Sequence, residues 1–255
     1  MLTRAQLAEV SRSDGVPIHA VERDYVQHLL LRQISDESFS FKGGTCLRIV
    51  HGSLRYSEDL DFSATASRER AEGVFELGAK RLADYGVSAD LSVRDSPAGS
   101  FLARVRYEGP LFDGRPRTGG SVRIEASVRT EDFQSEQRFV PKTPYADVPQ
   151  LVLRVLTPEE LFAEKTRALI VRKKARDLYD VHFLLQRDAS CSLSLLHKKM
   201  ELYNRKFRFR DLQDAVRAAG RTWKRDLEPL VGQVPPYDDL AGRVRQFFRA
   251  RFSKS

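Results

Sequence analysis

Apolar positions between residues 4 and 33 recur three and four apart, which predicts two amphipathic helices near 4–12 and 18–33. The second carries Val21, Val26, Leu29 and Leu30. FSFKGGTCLRIVHG then reads as a short strand, a Gly-Gly turn and a helix, and RYSEDLDFSA reads as a strand. A helix near 67–85 follows, rich in Glu, Arg and Ala. Three strands are expected next, at 88–95, 100–109 and 121–129. The loop PLFDGRPRTGG between the last two carries glycines and two arginines, and reads either as a mobile substrate loop or as a solvated hairpin end. After a Pro-containing stretch (141–149) and the short apolar run LVLRVL, the pattern turns helical and stays so. TPEELFAEKTRALIVRKK opens with capping-box residues, Thr157 at N-cap, Pro158 at N1 and Glu160 at N3. RDLYDVHFLLQR is a second helix, and three or four more are expected before Ser255. The expected fold class is α+β: a mixed β-sheet core with N-terminal helices over 1–156, then a C-terminal helical lobe over 157–255.

The segment from Ser57 to Ala64 changes this picture from fold to chemistry. Ser57, Asp59, Asp61 and Ser63 share one strand face, and Glu58, Leu60, Phe62 and Ala64 share the other. With Leu60 and Phe62 turned to the core, two carboxylates project side by side. Two unit charges about 4 Å apart repel by about 4 kcal/mol at an effective dielectric of 20. A divalent cation removes that cost. Mg²⁺ prefers oxygen ligands and commonly binds one or two carboxylates together with substrate phosphates. Alone, D-x-D is a weak signal, since exposed strands often alternate acids with other residues.

Upstream, Lys42-Gly43-Gly44-Thr45 sits at a strand-to-helix turn. Glycines there let backbone approach phosphates, the following helix offers N–H groups to an anion, and Thr45 can add a hydroxyl. A tight turn needing one positive φ is the plain alternative. Downstream, Arg123, Glu125 and Ser127 share a face opposite Val122, Ile124 and Ala126. Glu125 is therefore a candidate third metal ligand, or the base for an attacking hydroxyl, or an ordinary exposed strand glutamate.

Composition and charge narrow the class of partner. The 255 residues are 41% apolar and 31% charged, with no run approaching the roughly 20 apolar residues that span a bilayer. The N-terminus lacks the apolar stretch of a secretion signal, so a cytoplasmic location is expected. Cys46 and Cys191 lie far apart and read as packed thiols. Residues 1–164 hold 21 Lys and Arg against 25 Asp and Glu, a balance of −4. Residues 165–255 hold 22 against 10, a balance of +12. That asymmetry marks a polyanion-binding half or a solvated basic surface.

Within the basic half, Lys165 falls near the middle of an apolar arc made by Leu161, Phe162, Ala168 and Leu169. A lysine there snorkels or finds an anion, either a triphosphate or a carboxylate. Asp177 borders an apolar face, and Asp180 lies more nearly on the polar side. Arg176, Asp177 and Asp180 orient Lys165 or the nucleotide, or form a helix cap and inter-helix ion pairs. The run Arg205, Lys206, Phe207, Arg208, Phe209, Arg210 interleaves cations with aromatics, which suits RNA backbone contact with base stacking. The competing reading puts both phenylalanines in the core.

These pieces together resemble the AbiEii/AbiGii-type nucleotidyltransferase toxins, a family of the DNA-polymerase-beta-like superfamily that includes the MenT toxins. The carrying residues are Lys42 to Thr45, Arg55 to Phe62, Glu164-Lys165 and Arg176 to Asp180. The resemblance implies a polymerase-beta-like core, an NTP substrate, Mg²⁺ (or Mn²⁺), a neutralising antitoxin and, for several members, transfer of nucleotides to the tRNA 3′ end. Its third acid is usually Asp, where this chain has Glu125. On the combined reading Asp59, Asp61 and Glu125 hold the metal. Lys42, Gly43, Gly44, Thr45, Ser57, Lys165 and Arg176 contact the nucleotide, and Asp177 assists. A small-molecule or protein acceptor, or a non-catalytic nucleotide-binding module, are the rival functions.

Overall fold

The computed structural model describes residues 1–34, 36–95, 99–128, 133–140, 143–187 and 189–252, with the backbone alone at 252. Arg129, expected to end the third of the three strands, and Pro141 and Lys142 of the Pro-containing stretch lie outside the described residues. The chain divides into two compact units, Met1–Val155 and Leu156–Ser255.

The first unit opens with α1 (Arg4–Asp14) and α2 (Ile18–Gln33). Thr3 and Gln6 close a capping box at the start of α1, and Gly15 ends it in the left-handed conformation. Strand β1 (Phe39–Lys42) runs into helix α3 (Gly43–Ile49). Then come β2 (Asp59–Ala64), α4 (Arg68–Lys80) with a trailing 3-10 turn, β3 (Ser88–Arg94), β4 (Ser100–Glu108), β5 (Gly120–Val128), β6 (Ser135–Val140) and β7 (Leu151–Leu156). The strands form one mixed sheet in the order β3-β4-β5-β2-β1-β7-β6. β1 is antiparallel to β2 and parallel to β7, and β2 is parallel to β5.

Alternation along the strands sets the two faces. Leu60, Phe62, Phe101, Ala103, Val105, Val122, Ile124 and Ala126 are all buried. They lie beneath α2 and α4. Phe75 of α4 stacks on Phe101 with ring centroids 5.6 Å apart and meets Phe62 at 5.3 Å. Full burial of such a ring stabilises by about 1.5–3 kcal/mol. The alternate residues of β2, β4 and β5 face away from this core, and they include Asp59, Asp61, Arg123 and Glu125.

The helical unit contains α5 (Pro158–Arg172), α6 (Ala175–Gln186), α7 (Leu193–Glu201), α8 (Phe209–Gly220), α9 (Trp223–Leu227) and α10 (Tyr237–Phe252). α5 packs on α6, α7 and α8, and α10 packs on α6 and α8. Thr157 caps α5 by accepting from the Glu160 N–H. The Glu160 carboxylate is itself buried and pairs with Lys199 of α7 at 2.8 Å. Among the described residues, no helix is long and apolar enough to cross a membrane.

Candidate active site

Register brings the sequence-predicted acids together. On β2 and β5, which run parallel, Asp61 stands opposite Glu125 and Asp59 opposite Arg123. Neighbouring strands lie about 4.8 Å apart. Three carboxylates from two strands therefore occupy adjacent positions on the face turned away from α2 and α4. On the other side of β2, Lys42 stands opposite Asp61. The Lys42 ammonium reaches across the face to the Ser127 hydroxyl on β5, 3.4 Å away.

The Gly-Gly turn lies directly beneath this face. Gly43 has φ +82°, and a Cβ added to it would stand 2.1 Å from Asp61 Oδ2. A Cβ on Gly44 would stand 2.3 Å from an Arg55 guanidinium nitrogen and 2.7 Å from Ser57 Oγ. Gly43 is thus required by close approach to the body of the Asp61 side chain and by its left-handed backbone, whereas Gly44 abuts the ends of two side chains. Thr45 is fully buried, and its hydroxyl donates to the Asp59 carbonyl. This ties α3 to the start of β2, so its side chain has a task other than the expected phosphate contact.

Asp59 accepts both hydrogen bonds of a fork from Arg123, Nε to Oδ1 at 2.7 Å and Nη2 to Oδ2 at 2.9 Å. The pairing raises the Arg123 pKa, chiefly through these hydrogen bonds. Arg123 was visible in the sequence as the face-mate of Glu125, but its bond to Asp59 depends on cross-strand register. A cation on Asp59 matches the electrostatic demand of paired acids. Among the described residues, no group of three His, Cys, Asp or Glu is placed to hold a metal ion, so Glu125 is not brought in as the expected third ligand beside Asp59 and Asp61. The donors present are all hard oxygens beside a glycine cradle. They fit Mg²⁺, which is commonly held by one or two carboxylates plus substrate phosphates.

A buried ionic network that the sequence did not announce braces this corner. Asp24 of α2, with no exposure, accepts from Arg48 Nε at 2.7 Å and from the Tyr145 hydroxyl at 2.7 Å. The Arg48 guanidinium lies 3.3 Å over the Tyr56 ring, and the Tyr56 hydroxyl donates to Asp14. Arg48 belongs to α3 and Tyr56 immediately precedes Ser57, so the network holds α3 and the approach to β2 against α1 and α2.

In the helical unit, Lys165 pairs with Asp180 at 2.6 Å, their side chains only 12% and 1% exposed. Of the outcomes its arc position left open (snorkelling, a triphosphate or a carboxylate), the carboxylate pair is the one present. Asp180, expected nearer the polar side, is fully buried because α6 packs on α5 there. Asp177, one turn earlier, is also buried, and its Oδ2 lacks a hydrogen-bond partner. Arg176 is half-buried beside it. The basic run divides. Arg205, Lys206, Arg208 and Arg210 are exposed, but Phe207 is buried against His197 and Phe248. The expected stacking ring at Phe207 is therefore a core residue, and what remains there is a set of solvated cations.

A family model for the nucleotidyl transferase AbiEii toxin of type IV toxin–antitoxin systems matches residues 24–249. No curated protein matches the chain. Among solved structures, MenT4, a nucleotidyltransferase toxin from Mycobacterium tuberculosis H37Rv, is similar at 25% identity and TM-score 0.67, covering 96% of this chain and 88% of that one. A putative nucleotidyltransferase from H. pylori matches at 20% identity and TM-score 0.64, over 94% and 98% of the two chains. JHP933 from Helicobacter pylori matches at 20% identity and TM-score 0.59, over 94% and 95%. The expected α+β nucleotidyltransferase fold is thereby shown. With a family model spanning this much of its length, the chain belongs to the AbiEii nucleotidyltransferase toxin family of type IV toxin–antitoxin systems.

Proposed function

We propose that this protein transfers the nucleoside monophosphate of an NTP to the 3′-hydroxyl of an RNA, with the tRNA 3′ end as acceptor. The observation that carries the reading is the alignment of Asp59, Asp61 and Glu125 on one open sheet face, with Asp61 packed onto the Gly43 turn. The acceptor oxygen attacks the α-phosphorus, the bond to the bridging oxygen breaks, and pyrophosphate leaves. Glu125 takes the hydroxyl proton. Gly43 and Gly44 admit the triphosphate close to the backbone, with Lys42 and Ser57 beside it. Asp59 and Asp61 would hold Mg²⁺, or Mn²⁺ in its place, which supplies neutralisation of charge on the attacking and leaving oxygens. Arg123 then yields Asp59. Lys165, oriented by Asp180, is assigned to the triphosphate charge, with Asp177 and Arg176 in support.

A tRNA so extended cannot be aminoacylated, which blocks translation. The setting would be the cytoplasm, with a cognate antitoxin as partner. The test is incubation with each labelled NTP and total RNA, beside Asp61→Asn. Label in RNA that falls at least about a hundredfold in the variant supports the reading. Label on protein or a small molecule overturns the acceptor, and no label with any NTP overturns transfer.

A further inference from the structure

The open sheet face carries two arginines besides the one that pairs with Asp59. On antiparallel β4, Arg104 stands directly opposite Arg123, and Arg106 stands opposite Ser121. Like charges directly opposed across strands destabilise a sheet. Arg123 is engaged by Asp59, which leaves Arg104 as the uncompensated member of the pair. Its Nε is buried without a hydrogen-bond partner. A buried donor left without an acceptor is costly, and a bound anion would relieve that cost. Arg106 is exposed and makes no side-chain hydrogen bond or ion pair among the described residues. Both arginines line a groove of about 400 Å³ with the half-exposed Phe112.

Sheet order gives this groove a side. The Gly43-Gly44 turn leaves β1, on one flank of the β2 and β5 carboxylates, and β4 lies on the other flank. Nucleotide donor and acceptor must approach the reacting phosphorus from opposite directions. The glycine flank suits the triphosphate, so the arginine flank is left for the acceptor. Resting on the reading that the acceptor is RNA, we propose that Arg104 and Arg106 bind the terminal phosphodiesters of the strand whose 3′-hydroxyl is extended, with Phe112 stacking a base. The footprint is short. Asp90 stands opposite Arg106, and Glu108 follows on the same strand face, so a backbone continuing outward along β4 is repelled. The site takes a single-stranded end, not a duplex.

The experiment titrates salt against binding of a short fluorescent RNA with a free 3′-hydroxyl, and separately measures binding of a fluorescent NTP with Mg²⁺. Arg104→Ala/Arg106→Ala is expected to weaken RNA at least about tenfold. It should also flatten the log–log salt slope by about 1.4, two single-strand phosphate contacts at about 0.7 each. NTP affinity stays unchanged, which also reports an intact fold. Arg32→Ala/Arg81→Ala, on the helical side of the sheet, removes the same charge and should leave RNA binding as it was. If the double variant loses its thermal transition, Arg106→Ala alone carries the test, with a slope change of about 0.7. RNA affinity and slope equal to the unmodified protein, or a parallel loss of NTP affinity, overturns the assignment. Failure of the unmodified protein to bind or label RNA overturns the acceptor reading and this inference with it. Labelled RNA beside an unaffected variant overturns the arginines alone.

Discussion

Gly43 shows how tightly single residues set the candidate site. Its φ of +82° and the 2.1 Å between its missing Cβ and Asp61 Oδ2 act together. Alanine there carries the left-handed penalty of about 1–2 kcal/mol and displaces the Asp61 carboxylate. Gly43→Ala should lower transfer at least about tenfold while unfolding only a few degrees earlier, as read by labelled-NTP assay and thermal melt. Unchanged transfer would detach the turn from the chemistry. Ser57 lies just before β2, with its hydroxyl beside Gly44. A charge there competes for the cation or repels NTP, so Ser57→Glu should be inactive while Ser57→Ala keeps measurable transfer. A fully active glutamate variant would sink that idea. At this scale much was legible. Strand alternation put both aspartates on one face, and an apolar arc marked Lys165 as a lysine that snorkels or finds an anion. That Asp180, and not Asp177 or a triphosphate, is the anion paired with it was not legible, because helix periodicity alone cannot say which flank of α6 a neighbouring helix covers.

Among elements, α2 is the one whose role the sequence hid. Its buried positions include Glu22, Asp24, Gln27 and His28, so its polar residues are inside and no clean apolar stripe marks them as such. Asp24→Ala would leave Arg48 buried without its main partner, a loss of about 3–5 kcal/mol in denaturant unfolding. A loss below about 1 kcal/mol would show that Arg48 is adequately held by Tyr56 and Asp14. The strands of the site, β2 and β5, were readable because one face of each is packed and the other open. β6 was not, since its sequence SEQRFV is largely exposed and sits at the sheet edge. Edge strands are kept polar, which removes the alternation that would reveal them. β7 read only as an apolar run, which period alone cannot assign to strand or helix.

For the molecule as a whole, burial couples stability to pH. His28 and His182 titrate below the ordinary 6.5, mainly because burial disfavours the charged ring. Asp24 opposes that shift at His28, and Arg243 adds to it at His182. The unfolded chain then binds the extra protons, so stability present above about pH 6.5 is lost as the pH falls below it. The melting midpoint should drop from about pH 7.5 to about pH 5.5, less steeply in His182→Gln, and a flat profile would refute this. The sequence by itself determined the local chemistry: which acids alternate, where glycine breaks a strand, and which half is basic. Those follow from neighbours in the chain, whose geometry is fixed by strand and helix periods. Tertiary structure decided the pairings. Glu125 joins Asp61, Arg123 closes on Asp59, and Arg104 faces Arg123 only because β2, β5 and β4 align in one register, and register is set by packing over many residues distant in sequence. The same packing buried Phe207 in the helical unit and left Arg106 exposed on the sheet.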